Sequence, residues 1–102
     1  MTVRMQITTP VTHLCPFVEE KDVGELVATW EGDEVELHDL SRLLLSFYDT
    51  RVSHEDFTET ITKAIERKGG IGVQVTTYWE TANLEVVVQS GRSRGFDLSH
   101  RV

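Results

Sequence analysis

The sequence predicts an α+β domain in which two strands, two helices and two further strands follow one another. Two observations support this order. Apolar and polar residues alternate near both ends of the chain, whereas apolar residues recur every three to four positions between residues 39 and 68. A chain of 102 residues suits one domain. The order ββααββ predicts a four-stranded antiparallel sheet with two helices on one face.

The first two strands are predicted on either side of a loop. Residues 2–8 alternate, and Pro10 is expected to end this strand. Residues 9–23 contain both prolines and show no sustained period, so they are predicted to form an irregular loop. The alternation at residues 24–31 predicts the second strand, whose inward face would carry Leu26, Ala28 and Trp30.

Two amphipathic helices are predicted in the middle of the chain. Asp39 is the expected N-cap of a first helix over residues 39–48, whose apolar stripe is Leu40, Leu43, Leu44 and Phe47. Ser53 is the expected N-cap of the second helix, and Gly69-Gly70 would end it. The buried stripe of this helix would be Phe57, Ile61, Ala64 and Ile65.

Alternation returns after the helices and predicts two more strands. The first begins at Ile71 and would direct Val73, Val75, Thr77 and Trp79 to the same face as Ile71. A turn at residues 81–83 leads to a strand carrying Leu84, Val86 and Val88 on one face. Residues 1–91 are thus predicted to be the single domain, and residues 92–102 a flexible basic tail.

The sheet is predicted to complete itself in a multimeric β-barrel ring. Four strands leave two open edges, which tend to pair with other chains. Trp30, Tyr78 and Trp79 lie on predicted strands and could contribute to closure. A small domain buries a limited share of its surface, so assembly would help to complete its core. We therefore expect a homo-oligomer.

Charge and composition limit the possible partners and cofactors. Ten basic residues oppose 17 acidic ones, a net charge of −7 that argues against general nucleic-acid binding. The single cysteine, Cys15, excludes an intrachain disulfide, and with four scattered histidines it matches no zinc-site spacing, so no metal is expected. Without an apolar leader or a run of about 20 apolar residues, a cytoplasmic protein with no membrane contact is expected.

The candidate reactive group is the Cys15 thiol. A lone cysteine in a small domain is more often a packing residue, but its place in a predicted loop favours chemistry. A nucleophilic thiol needs an acid-base partner, and Asp22 or a histidine could provide one. Glu55 follows His54 in the first turn of the second helix, where it either favours the helix dipole or accepts two N–H donors of a planar heterocycle. Glu36 could bind substrate in the same way.

Several of these residues form a pattern that resembles a known family. The run Val-Thr-His-Leu-Cys-Pro at 11–16 with Asp22, then Val35-Glu36, Leu40, Ser46-Phe47 and His54-Glu55-Asp56, is similar to the nitrile reductase of the queuosine pathway, QueF. It also resembles the shorter QueF-like amidinotransferase of archaeosine synthesis. Both belong to the tunnelling-fold (T-fold) superfamily. The similarity covers residues 11–88 and implies a ββααββ T-fold assembled into a ring, a pentamer or decamer, with purine sites between subunits.

The resemblance also implies roles for individual residues. Cys15 would attack the nitrile of 7-cyano-7-deazaguanine (preQ0) to form a covalent thioimide, and Asp22 would act as general acid-base. Glu55 would hold the deazaguanine edge, while His54 would line the pocket or assist proton transfer. The implied substrate is preQ0, either free or within a nucleic acid.

One departure from the reductase selects among the possible reactions. The reductase has a Glu-Ser-Lys-Ser-Leu-Lys motif whose lysines help to bind NADPH, whereas residues 36–41 here read Glu-Leu-His-Asp-Leu-Ser. Because cationic partners of the 2′-phosphate are missing, no cofactor is expected, and ammonia would convert the thioimide to an amidine. The alternatives are an NADPH-dependent preQ0 reductase and a non-catalytic T-fold that binds a deazapurine.

Overall fold

The computed structural model describes residues 3–91, so the predicted basic tail at 92–102 lies outside the described residues. The elements are β1 (Arg4–Leu14), β2 (Lys21–Glu31), α1 (Leu37–Ser46), α2 (His54–Arg67), β3 (Ile71–Thr81) and β4 (Leu84–Gly91). The predicted α+β class and the ββααββ order are confirmed. In the part of the chain that is described, no helix combines the length and apolar character needed to cross a membrane.

The four strands form one antiparallel sheet in the order β1-β2-β3-β4. This order makes β1 and β4 the edge strands. Ala82 and Asn83 join β3 to β4 with φ angles of 54° and 64°, as a tight two-residue hairpin turn requires. The pairing places His13 opposite Asp22 and Gly24 opposite Trp79, and these two pairs position the candidate site.

One face of the sheet packs against both helices and forms the core. Its members are Val11, Leu26, Ala28, Trp30, Val35, Leu40, Phe47, Phe57, Ile61, Ile65, Val73, Val75 and Trp79. Ile71 and Leu84, which were expected on the inward faces, are exposed at the beginnings of their strands. Trp30 and Trp79 are buried in the core of the chain, and the expectation that they contribute to ring closure stays a prediction.

The prediction of a long loop over residues 9–23 is also wrong. β1 continues through Pro10 to Leu14, and β2 already begins at Lys21, which leaves only residues 15–20 as the connection. Pro10 is tolerated because β1 is an edge strand, where a missing N–H on the unpaired side costs no ladder hydrogen bond. Cys15 therefore follows directly on a strand.

The two helices differ in how well their beginnings were predicted. The expected cap Ser53 is confirmed, since its hydroxyl accepts the N–H of Asp56 at 3.0 Å. α1, however, begins two residues earlier than predicted and is capped by Glu36 instead of Asp39. The Glu36 carboxylate accepts the backbone N–H groups of His38 and Asp39 at 3.2 and 2.8 Å, which explains the earlier start.

Candidate functional site

The β1-β2 hairpin places His13 and Asp22 opposite each other, and Cys15 directly follows β1, two residues beyond His13. All three side chains are buried, with exposures of 0% for His13, 5% for Asp22 and 6% for Cys15. The spacing of seven residues between Cys15 and Asp22 thus reflects the connection over residues 15–20, of which Cys15 is the first residue.

The loop that carries Cys15 is fixed at its backbone. The N–H of Cys15 donates to the carbonyl of Glu20 at 3.0 Å, and Arg51 donates a guanidinium N–H to the Cys15 carbonyl at 3.0 Å. The same guanidinium pairs with the carboxylate of Glu19. Leu14 forms backbone hydrogen bonds with Thr50 and Val52, so the segment between the helices covers the end of β1. These contacts hold the thiol-bearing residue in place from two sides.

His54 enters the site from the first turn of α2, where the Ser53 cap fixes the beginning of the helix. Its Nδ1 lies 2.8 Å from Nε2 of His13, and its Nε2 lies 2.9 Å from the hydroxyl of Thr81. The same Nε2 is 4.0 Å from a carboxylate oxygen of Asp22. The structure therefore brings together His54 and Asp22, two of the predicted catalytic residues, while Cys15 is buried in the connection that follows β1.

The indole of Trp79 forms one wall of the site. It stacks on the His54 ring with a centroid distance of 4.3 Å and an interplanar angle of 15°, and it meets the His13 ring edgewise at 4.7 Å. Its Nε1–H donates to Thr77 at 2.8 Å, Thr77 lies 2.7 Å from the hydroxyl of Thr58, and Thr58 donates to the carbonyl of His54 at 2.7 Å. A buried chain of hydrogen bonds thus returns from the indole to the backbone of the histidine on which it stacks.

The surroundings of His54 favour its neutral form. Burial lowers the pKa of its imidazole, and the neighbouring His13 lowers this pKa further, while the carboxylates of Asp22 and Glu55 act in the opposite direction. A neutral imidazole next to a carboxyl group can accept a proton from one partner and donate a proton to another. The His54 imidazole is therefore suited to acid-base chemistry.

The two predicted substrate-binding acids occupy different places. Glu55 is exposed in the first turn of α2, next to His54. Glu36 is exposed at the beginning of α1, and its hydrogen bonds with the His38 ring and with the N–H groups of Asp39 and His38 lower its pKa to about 2. Asp39 lies 3.9 Å from Lys68, at the opposite end of α2 from His54. Because 14 helical residues span about 21 Å, Glu36 is not brought to the other four residues within one chain.

His13, Asp22 and His54 are also the residues that could approach a metal ion, since ligand atoms of the three lie within 4.8 Å of one another. The two histidine nitrogens are 2.8 Å apart, which is a hydrogen-bond distance. Two nitrogen ligands of one tetrahedral zinc ion would stand roughly 3.3 Å apart, given Zn–N bonds of about 2.1 Å. The observed arrangement is thus that of a hydrogen-bonded pair, and a metal would need the rings to separate.

A cavity of about 510 Å³ lies close to the site but on the other side of the sheet. Its walls include outward-facing side chains of three strands, among them Val23, Glu25, Tyr78 and Glu85. Cys15 and His54 are not among the residues that line this cavity, whereas Trp79, on which His54 stacks, is one of them.

A solved structure resembles this fold closely. The crystal structure of the archaeosine synthase QueF-Like in the apo form matches with a TM-score of 0.71 and 18% sequence identity, over 89% of this chain and 96% of that chain. The chain has the fold of this archaeosine synthase. The resemblance to the QueF-like family inferred from the motif is thereby confirmed at the level of the fold. No protein-family model matches the chain, and no curated protein does.

Four contributors to the site were missed in the sequence. The sequence predicts His13 in a loop, Thr81 in a turn and Gly24 at the beginning of a strand, and it predicts Trp79 on a strand face where it could help to close a ring. The signal for His13 is the alternation along β1, in which the odd-numbered positions are the more buried ones. This alternation continues beyond Pro10 through Val11 to Cys15. The signal for Gly24 was a glycine within a strand, which often marks a close approach, here by the Trp79 indole.

Proposed function

We propose that this protein is a QueF-like enzyme that acts on the nitrile of preQ0 through Cys15 and forms an amidine with ammonia. The Cys15 sulfur adds to the nitrile carbon, and the thiol proton passes to the nitrile nitrogen, which gives a thioimide. Ammonia then adds to the same carbon. Breaking of the carbon–sulfur bond releases the amidine, and the sulfur regains a proton.

The observation that carries the proposal is the pair formed by Asp22 and His54, whose carboxylate oxygen and Nε2 lie 4.0 Å apart, at the end of the sheet where the buried Cys15 follows β1. The β1-β2 register and the N-terminus of α2 bring Asp22 and His54 together although they are far apart in sequence. The first step needs a base for the thiol proton and an acid for the nitrile nitrogen. Asp22 and neutral His54, 4.0 Å apart, provide groups of both kinds. The fold shared with an archaeosine synthase supports the same chemistry.

The beginning of α1 supports ammonia over NADPH as co-substrate. Residues 36–41 contain no lysine or arginine, and Glu36 is engaged with His38 and Asp39. An anionic nucleotide would meet a carboxylate there, since hydrogen bonding lowers the pKa of Glu36 to about 2. Ammonia has no phosphate group and needs no cationic side chains at this position.

The charge of the domain supports a small substrate. Residues 1–91 hold 7 basic and 16 acidic residues, a net charge of −9, whereas residues 92–102 carry +2. A negative domain repels a tRNA more strongly than it repels an uncharged heterocycle. The preferred substrate in this proposal is free preQ0, with Glu55 accepting the N–H groups of the deazaguanine edge.

The ring assembly is part of the proposal. Across residues 3–91, β1 and β4 each have a strand partner on one side only, and Glu36 lies too far from His54 to share a site within one chain. In a ring, Glu36 of one subunit can approach the site of its neighbour. Sedimentation velocity distinguishes a ring from a monomer. A pentamer or decamer is expected, and a monomer near 11.6 kDa would remove both the ring and a site between subunits.

Intact-mass spectrometry with preQ0 tests the chemistry directly. The wild-type protein should gain the mass of one preQ0 per chain, while Cys15→Ala and a 7-deazaguanine without the nitrile should give no adduct. Added ammonium should release the amidine. No adduct in the wild type, or an adduct in Cys15→Ala, would contradict the proposal.

The same assay separates the alternatives. NADPH-dependent formation of the aminomethyl product would indicate the reductase instead. Tight, reversible preQ0 binding that is unchanged in Cys15→Ala would indicate a non-catalytic binding protein. A preQ0-containing tRNA offered in parallel should react more slowly than the free base, and the reverse result would overturn the preference for a small substrate.

A further inference from the structure

His13 is a fully buried histidine with a hydrogen-bond partner at each ring nitrogen. Its Nδ1 lies 2.9 Å from the carbonyl oxygen of Leu14, and its Nε2 lies 2.8 Å from Nδ1 of His54. Its side chain is 0% exposed and packs against the rings of Phe57 and Trp79. The sequence motif assigns it no role, and the proposed chemistry does not use it.

The Leu14 carbonyl determines which His13 nitrogen carries the proton. A carbonyl oxygen only accepts, so Nδ1 of His13 must be protonated and donate to it. In the neutral ring, Nε2 is then unprotonated and accepts the N–H from Nδ1 of His54. A neutral His54 that donates from Nδ1 has an unprotonated Nε2. This nitrogen accepts the hydroxyl proton of Thr81 and lies toward the carboxyl group of Asp22.

The consequence concerns the base available to the site. With its proton on Nδ1, His54 presents a free electron pair on Nε2, 4.0 Å from a carboxylate oxygen of Asp22. With the opposite tautomer, Nε2 would donate to the Thr81 hydroxyl and could not take up a proton. The hydrogen bond made by one ring nitrogen of a histidine commonly determines which nitrogen carries the proton.

We propose that His13 is a positioning residue that holds His54 in the Nδ1–H tautomer, so that Nε2 of His54 serves as the proton acceptor of the site. This inference rests on the proposed function for its catalytic consequence, whereas the tautomer itself is independent of it. The titratable groups facing His54 are His13 of β1, Asp22 of β2 and Glu55 of α2.

The tautomer can be measured in the substrate-free protein by long-range ¹H–¹⁵N NMR of the histidine rings at neutral pH. The wild type should show both His13 and His54 protonated on Nδ1. His13→Phe removes the acceptor and should shift His54 toward the Nε2–H form, whereas His13→Gln keeps an acceptor near the position of Nε2 and should retain the wild-type form. Val11→Ala, on the same face of β1, is the control for packing loss alone.

The rate of preQ0 adduct formation provides the second readout. His13→Phe should slow it by on the order of a hundredfold, the lower end of an acid-base contribution. His13→Gln should recover most of the rate, and Val11→Ala should retain the wild-type tautomer. A wild-type His54 protonated on Nε2, or an unchanged tautomer in His13→Phe, would overturn the inference. If the tautomers behave as expected but no protein forms an adduct, the proposed function fails while the role of His13 in fixing the tautomer stands.

Discussion

The His54 imidazole lies stacked on the Trp79 indole, 4.3 Å between ring centroids and 15° from parallel. The helix cap at Ser53 fixes where His54 begins α2, and the indole fixes the orientation of its ring. Thr77 in turn accepts the indole N–H at 2.8 Å. The orientation of a residue at a helix end is thus determined by a strand on the other side of the core.

Gly24→Ala should destabilise the protein and displace the Trp79 indole. A Cβ at this position would stand 2.5 Å from Cε3 of Trp79 and would also overlap the carbonyl oxygen of Tyr78. We expect a loss of about 1–3 kcal/mol in the free energy of unfolding, the usual cost of overpacking. Urea denaturation measures it. In the double variant with Trp79→Leu the added loss should be smaller, and full additivity would show that the indole is not the obstacle.

Thr77→Val should break the buried chain that joins Trp79 to the backbone of His54. The indole N–H would lose its acceptor in the core, and the Thr58 hydroxyl would lose a partner. Leaving a buried donor without an acceptor costs about 1–3 kcal/mol. Thr62→Val is the matched control because it removes one buried hydroxyl that donates only to the Thr58 carbonyl. Equal losses of unfolding free energy in both variants would contradict a special role for this chain of hydrogen bonds.

The sequence was informative where local signals and the fold agreed. α2 has a capping serine, an acidic first turn, a regular apolar stripe and a glycine pair after its end, and its bounds matched the prediction. The sequence predicts only the first half of β1, because Pro10 is expected to end a strand. A proline has that effect in a central strand, but the edge position of β1 depends on the whole sheet and cannot be inferred locally.

The site was predictable only in part for the same reason. Cys15, Asp22, His54 and Glu55 were named from a motif, but their partners depend on tertiary contacts. The bond between His13 and His54 joins residues 41 positions apart, and the stacking partner of His54 lies on β3. Glu36 differs, because its role depends on local contacts. Its carboxylate caps its own helix, which the motif did not indicate.

The pH dependence of stability should reflect His54. Burial, followed by the nearby His13, lowers the pKa of this imidazole from its ordinary value of 6.5. The unfolded chain therefore binds the proton more readily than the folded chain does, and the free energy of unfolding should fall as the pH decreases below about 6.5. Urea denaturation between pH 7.5 and 5.5 measures the slope.

His54→Gln should flatten this slope, since the titrating group is removed. Thr62→Val destabilises the protein without removing a titratable group, so it should retain the wild-type slope. A wild-type stability that rises on acidification through this window would contradict the lowered pKa. Measurement of the His54 titration by NMR in the same samples connects the slope to the residue.

Ser53→Ala should weaken both α2 and the placement of His54. The Ser53 hydroxyl accepts the N–H of Asp56 at 3.0 Å, and loss of such a cap costs about 1 kcal/mol. Because His54 is the first residue of this helix, fraying of the first turn should also loosen its contacts with His13 and Thr81. The free energy of unfolding and the rate of Cys15 alkylation by iodoacetamide measure the two effects.

Ser46→Ala is the control, since that exposed hydroxyl bonds only to the Leu43 carbonyl at the end of α1. If it alters stability and alkylation as strongly as Ser53→Ala does, the cap has no particular influence on the site.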